Sequence, residues 1–209
     1  MVCWNHPQRG EIDWEEFQSI VENSALIVDV GEWTIRKACE EARSWPAGLR
    51  VTVNVPTQQF SANGFVESVK RALDETDYDP DRLELEFKES VFLGDTNAVD
   101  KTLASLFKLG VRLTLDEFGT GYSSLSYLRR APFDSIKIGG NFFSEALEAD
   151  SRELALVKAI VALARALGMA TIATGIESIE LLQVLRGCGI DNLQGSVFTD
   201  PVPAKQVER

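Results

Sequence analysis

Short apolar runs and alternating apolar–polar segments recur along the chain, separated by stretches whose apolar residues fall three and four apart. The runs predict strands at Arg50–Val55, Leu83–Phe87, Val111–Leu115, Ser135–Ile138 and Ala170–Ala173, with a weaker one at Ile190–Leu193. Helical spacing joins Trp33, Ala38 and Ala42, then Phe65, Val69 and Leu73, then Leu103, Leu106 and Leu109. The clearest helix carries Leu154, Val157, Ile160, Val161, Ala164 and Leu167, and Gly168 marks its end. Strands that alternate with helices through short connections pair in parallel, so the pattern predicts an α/β barrel or a doubly wound sheet. Polar residues sit at or near the C-terminal ends of several different strands: Asn54, Glu86, Asp116 and Lys137. A barrel spreads its site over many strand ends, whereas a doubly wound sheet gathers it at one switch point, so the barrel is favoured. No low-complexity stretch or linker divides the chain, which reads as one domain over 1–209.

Composition narrows the chemistry. The 209 residues hold 21 basic and 32 acidic side chains, for a formal charge of −11. Such a surface repels phosphate backbones, so neither DNA nor RNA is expected as a partner. Anionic membrane surfaces are disfavoured on the same ground. His6 is the single histidine, which leaves little scope for Ser-His-Asp or Cys-His catalysis or for multi-histidine zinc sites. Three scattered cysteines suggest no disulfide framework. The apolar run near Leu154–Leu167 is interrupted by Lys158 and Arg165, so no membrane insertion is expected. Neither is a leader, and a reducing cytoplasm is the expected location. Carboxylates, lysines and amides remain, the side chains that serve hard metal ions and phosphates.

Three local patterns could carry that chemistry. In Leu83–Glu89 strict alternation places Glu84, Glu86 and Lys88 on one strand face. A solvent-facing edge strand would show the same alternation. In a closed barrel, inward carboxylates need a metal, a cation or each other. Asp116 and Glu117 precede Phe118-Gly119-Thr120-Gly121, a strand-end acid pair followed by a glycine loop. That arrangement suits a divalent metal with a phosphate, and equally a turn with an N-capping serine. Lys137 could meet a phosphate or pair with Asp116, and Gln194-Gly195 reads as a turn.

In their order along the chain these fragments are more specific than any one alone. Trp4-Asn5-His6-Pro7, Gly31-Glu32-Trp33, Asn54-Val55-Pro56, Leu83 to Ser90, Asp116 to Leu125, Lys137-Ile138, Ala173 to Glu177, Gln194-Gly195 and Pro201-Val202-Pro203 together resemble the EAL domain, the bacterial cyclic-di-GMP phosphodiesterase family. The resemblance implies a modified TIM-like (β/α) barrel with one antiparallel strand. It also implies two divalent ions, Mg²⁺ or Mn²⁺, at the strand ends, and hydrolysis of cyclic-di-GMP to pGpG. Asn54, Glu86, Asp116, Lys137, Glu177 and Gln194 keep the family residue types. Glu89 matches a glutamate that orders the glycine-rich loop.

Other matched positions depart from the family. Met1-Val2-Cys3-Trp4 aligns with the end of the Glu-Ala-Leu-Leu-Arg-Trp segment. The naming glutamate then falls ahead of residue 1, the first strand is incomplete in this chain, and Cys3 stands in for a ligand-contacting arginine. Glu117 replaces an aspartate of the metal-binding pair, Gly139 an aspartate, Thr174 a glutamate and Lys88 a threonine. Removing a general base costs about 10²–10⁴ in rate. The expectation is therefore a degenerate member with no intact catalytic set and no metal cofactor unless residual binding survives. It would act in cyclic-di-GMP signalling as a regulatory protein-interaction module, within a longer multidomain protein that could be membrane-tethered. The partner would be a protein or a second copy, through the loop Phe118–Ser124 and the following helix. The alternatives are a cyclic-di-GMP receptor without hydrolysis and a residual metal-dependent phosphodiesterase.

Overall fold

The predicted strands assemble into one curled parallel sheet, seen in a computed structural model of the chain. It describes residues 3–207 except 23, 25, 120–125 and 144–151, and omits the side chains of Glu15, Asn141 and Lys205. The strands are β3 (Val51–Val55), β4 (Leu83–Lys88), β5 (Arg112–Asp116), β6 (Ser135–Ile138), β7 (Ala170–Ala173) and β8 (Asn192–Leu193), adjacent in sequence order and all parallel. Strand β8 is shorter than the predicted Ile190–Leu193, because Asp191 is used as a cap instead of extending the ladder.

Register separates the sheet into two unlike faces. Val53, Leu85, Leu113, Leu115, Ile136, Ile138 and Ala173 lie on the face covered by helices and are buried there. Each fully buried leucine or phenylalanine contributes about 1.5–3 kcal/mol. The covering helices include α2 (Leu26–Ala42), α4 (Phe65–Thr76), α5 (Thr96–Leu109), α6 (Arg152–Ala166) and α7 (Ile179–Gly187). Asp95 caps α5 by accepting from the Asn97 and Ala98 amides, and Ser178 caps α7 through the Leu181 amide. Gly168 follows α6 at φ +74°, the left-handed backbone predicted for that position.

Besides the one-turn helix α3 (Thr57–Phe60), three elements were not anticipated. Two are helices: α7, and α1 (Trp14–Glu22), which follows the N-terminal hairpin. The third is that hairpin, where β1 (Cys3–His6) pairs antiparallel with β2 (Gly10–Asp13) in a sheet of its own. The Cys3-Trp4 segment, expected as the tail of a barrel strand, is therefore bonded to Gly10–Asp13 and not to the barrel sheet. Strands β3 and β8 form the two edges of that sheet. No helix among the described residues is long and apolar enough to cross a membrane.

Aspartates tie the strand starts together. Asp134, just before β6, accepts from the Leu113 amide at 2.9 Å and from Arg112 at 2.7 Å. Asp191, just before β8, accepts from the Thr171 amide and hydroxyl, both at 2.8 Å. These bonds, the amide first, hold the Asp191 carboxyl below its ordinary pKa. Its contribution is then present above the unfolded carboxyl value near ~3.9 and lost as pH falls through the lower native one. Asp191→Asn is expected to cost about 1 kcal/mol in urea denaturation at neutral pH, a modest value because the site is solvent-screened. The difference from wild type should shrink as the medium is acidified below about pH 4.

Candidate functional site

The face of the sheet turned away from the helices is largely polar, and it holds most of the residues singled out from sequence. In-register positions bring Thr52 and Asn54 of β3 beside Glu84 and Glu86 of β4, and Lys88 beside Asp116 of β5. Ser135 and Lys137 of β6 follow on the same face. Strand β4 lies between β3 and β5, so the solvent-edge reading of its alternation is excluded. Glu84 and Glu86 are 9% and 4% exposed.

Buried carboxylates require partners, and each layer of the face supplies them. In the lower layer Glu84 accepts from the Thr114 hydroxyl, and from Ser135 Oγ at 3.4 Å. In the next, Lys137 Nζ donates to both Glu86 oxygens at 2.7 and 2.8 Å. Lys137 thus pairs with Glu86, not with Asp116 as sequence reasoning allowed. Burial raises the Glu86 pKa, and the Lys137 ammonium opposes that rise. At the rim, Lys88 Nζ lies 2.9 Å from Glu117 Oε1. Asp116 Oδ1 accepts from the Glu117 amide at 2.8 Å, where Glu117 bends the chain at φ +53°.

The β6–β8 end of the rim is built mainly by backbone. The Thr174 amide donates to the Ile138 carbonyl at 3.0 Å, and its hydroxyl reaches the same oxygen at 3.5 Å. The Gln194 amide donates to Ala173 and the Gln194 carbonyl accepts from Ile176. A Cβ on Gly195 would stand 2.0 Å from the Ile176 carbonyl oxygen, so a side chain there would clash with backbone. What reads as a turn in sequence is a close contact between two strand-end segments. Gly139, in contrast, has no atom within 4 Å of such a Cβ. The Asn54, Glu177 and Gln194 side chains are exposed and make no hydrogen bond among the described residues.

Glu89 leaves the rim on the side of the glycine loop. Its Oε1 accepts from Tyr127 Oη at 2.7 Å and from the Gly119 amide at 3.4 Å, one on each side of residues 120–125. Tyr127 stacks on Phe92 with centroids 4.1 Å apart, and sequence reasoning singled out neither residue. The described segment after the loop, expected as a helix, is a turn over residues 126–130, and an aromatic there gave no distinguishing signal. Of the loop Phe118–Ser124, positions 120–124 lie outside the described residues. Cys3 sits apart on the hairpin, its thiol grouped with the Glu11 and Asp13 carboxylates.

The strand-end carboxylates are largely engaged within the chain as they stand. Both Glu86 oxygens hold Lys137, Glu117 holds Lys88, and one Asp116 oxygen is turned back onto the Glu117 amide. Among the described residues, the one set of three acidic, cysteine or histidine ligand atoms lying mutually within 4.8 Å is Cys3, Glu11 and Asp13, away from the rim.

The Glu86–Lys137 pair should dominate the stability of this face. Lys137→Met strands a buried carboxylate, with an expected loss of about 3 kcal/mol or more in chemical denaturation. Lys137→Met with Glu86→Leu should recover most of it. In the single variant the Lys137 ammonium no longer opposes burial and the Asp116 and Glu84 carboxylates, so the native pKa of Glu86 rises further above the unfolded value. Stability is then retained at acid pH and lost as pH rises through the native pKa, and the deficit should widen as pH rises above the unfolded carboxyl value of about 4.3.

Comparison with known proteins agrees with this architecture. The EAL domain family model matches residues 1–201. The protein y4lL of Sinorhizobium fredii is 41% identical over 206 residues, which are 99% of this chain and 25% of that protein. The bifunctional diguanylate cyclase/cyclic di-GMP phosphodiesterase MucR of Pseudomonas aeruginosa is 39% identical over 211 residues, 99% of this chain and 31% of MucR. The chain thus spans between a quarter and a third of the length of these relatives. The solved PaMucR phosphodiesterase in its c-di-GMP complex superposes with a TM-score of 0.91 at 39% identity, covering 98% of this chain and 84% of that one.

Proposed function

The chain belongs to the EAL domain family, and on that premise we propose that it is a regulatory domain of cyclic-di-GMP signalling whose hydrolytic machinery is impaired. One observation carries the reading: Lys88, at a position where the family has threonine, engages the Glu117 carboxylate of the strand-end acid pair. Thr174 supports it. A hydroxyl near neutral pH is no substitute for a carboxylate as base or ligand, and this one is directed at the Ile138 carbonyl. The domain works within a longer signalling protein and exerts its effect through protein contacts.

A second reading, a receptor that binds cyclic-di-GMP without cleaving it, is favoured by Asn54 and Gln194. Their amides stand exposed at opposite edges of the polar face, with no hydrogen bond to another described residue. The PaMucR phosphodiesterase, solved as a c-di-GMP complex, has the same fold.

The test is hydrolysis of cyclic-di-GMP to pGpG by the purified chain in Mg²⁺ and in Mn²⁺, beside the MucR domain. The expected rate is lower by about 10²-fold or more; a rate within about tenfold would overturn the proposal. Calorimetry with the same dinucleotide separates the two readings. Micromolar binding, about −8 kcal/mol, identifies a receptor, and no heat up to millimolar ligand leaves the protein-contact module.

A further inference from the structure

Resting on the reading that this domain does not hydrolyse its family's substrate, we infer that Lys88 is a built-in cation that takes over charge neutralisation at the rim and keeps divalent metal out. Lys88 ends β4 and lies in register with Asp116, the last residue of β5. Its ammonium reaches Glu117 Oε1 at 2.9 Å. Glu117 is placed for this by its left-handed backbone, φ +53°, which an ordinary side chain seldom adopts. The Asp116 carboxylate holds that bend by accepting from the Glu117 amide. Two successive acids at a strand end are therefore bound up in one small structure with Lys88.

The neighbouring layer also holds an ion pair, Lys137 on Glu86, but both residues keep the family types, so Lys88 is what sets this rim apart. Three carboxylates, Glu86, Asp116 and Glu117, then face two ammonium groups. A divalent ion approaching Asp116 and Glu117 meets a residual charge of about minus one instead of minus two, with a like charge within a few ångströms. An ammonium is three donors and no acceptor, so Lys88 offers a metal nothing in exchange for the oxygen it occupies. The two pairs differ in how easily they are undone. Lys137 and Glu86 side chains are 13% and 4% exposed, and breaking them strands a buried charge. Lys88 and Glu117 are 56% and 47% exposed, so replacing Lys88 costs the fold little. Lys88 is therefore the position at which metal affinity can be changed without unfolding the domain.

The experiment is a Mn²⁺ titration followed by the paramagnetic resonance signal of the free ion, with folding of each protein checked by circular dichroism. Wild type and Glu117→Gln should take up Mn²⁺ equally weakly. Lys88→Thr should gain a site roughly tenfold tighter or more, and Lys88→Thr with Glu117→Gln should lose it again. That last variant separates the rim from any uptake at Cys3, Glu11 and Asp13. Lys88→Arg, which keeps the charge, should behave as wild type. No gain in Lys88→Thr, in a wild type that does not hydrolyse cyclic-di-GMP, overturns the role of Lys88 alone. Glu117-dependent Mn²⁺ uptake accompanied by hydrolysis in the wild type overturns both this inference and the reading beneath it.

Discussion

Two glutamates on the inner face of a parallel sheet set the terms for the rest of this structure. Glu84 and Glu86 are buried where a barrel usually packs branched aliphatic side chains. An unpaired carboxylate there would cost several kcal/mol, so the neighbouring strands must deliver hydroxyls or a cation at matching heights. They do so by register. Thr114 and Ser135 meet Glu84, and Lys137 meets Glu86 from two strands away. The strand order and the in-register pairing are thus coupled to the chemistry of the face, while leucines and isoleucines hold the other face to the helices.

The same coupling shapes function. A family fold that gathers carboxylates at its strand ends has to balance them, with metal or with its own basic groups. Here basic groups do it in two consecutive layers, one buried and one exposed. The positions expected to supply further carboxylates carry Gly139 and Thr174, and these leave the far side of the rim to backbone contacts among Ile138, Thr174, Ile176 and Gln194. The result is a polar face in which Glu86 and Glu117 are each paired with a lysine of the chain itself.

Much of this was legible in sequence. Strict alternation over Leu83–Glu89 placed Glu84, Glu86 and Lys88 on one face of β4, which only the strand order showed to be an interior one, and runs such as Ser135–Ile138 and Ala170–Ala173 matched their strands residue for residue. The residues Asn54, Glu86, Asp116, Lys137, Thr174 and Gln194 were singled out from strand ends or motif order, and they do share the C-terminal end of one sheet. What sequence could not supply was distance across strands. Lys137 lies 51 residues from Glu86, and nothing local distinguishes that partner from Asp116. The β1–β2 hairpin was missed because Cys3–His6 and Gly10–Asp13 have almost no apolar alternation. Helix α7 had a serine cap with Leu181 and Leu185 four apart, a signal present but short. Gly195 shows the limit from another side, since only the fold reveals a backbone pressed against its α-carbon.

The central claim is that lysines, not metal ions, balance the carboxylates at the strand ends. It is tested most directly by anomalous diffraction from crystals of this chain soaked in millimolar Mn²⁺. The account predicts no anomalous peak among Asn54, Glu86, Asp116 and Glu117, with Lys88 within ion-pair distance of Glu117 and Lys137 of Glu86. A Mn²⁺ peak bound by Asp116 and Glu117, with Lys88 displaced into solvent, would contradict it.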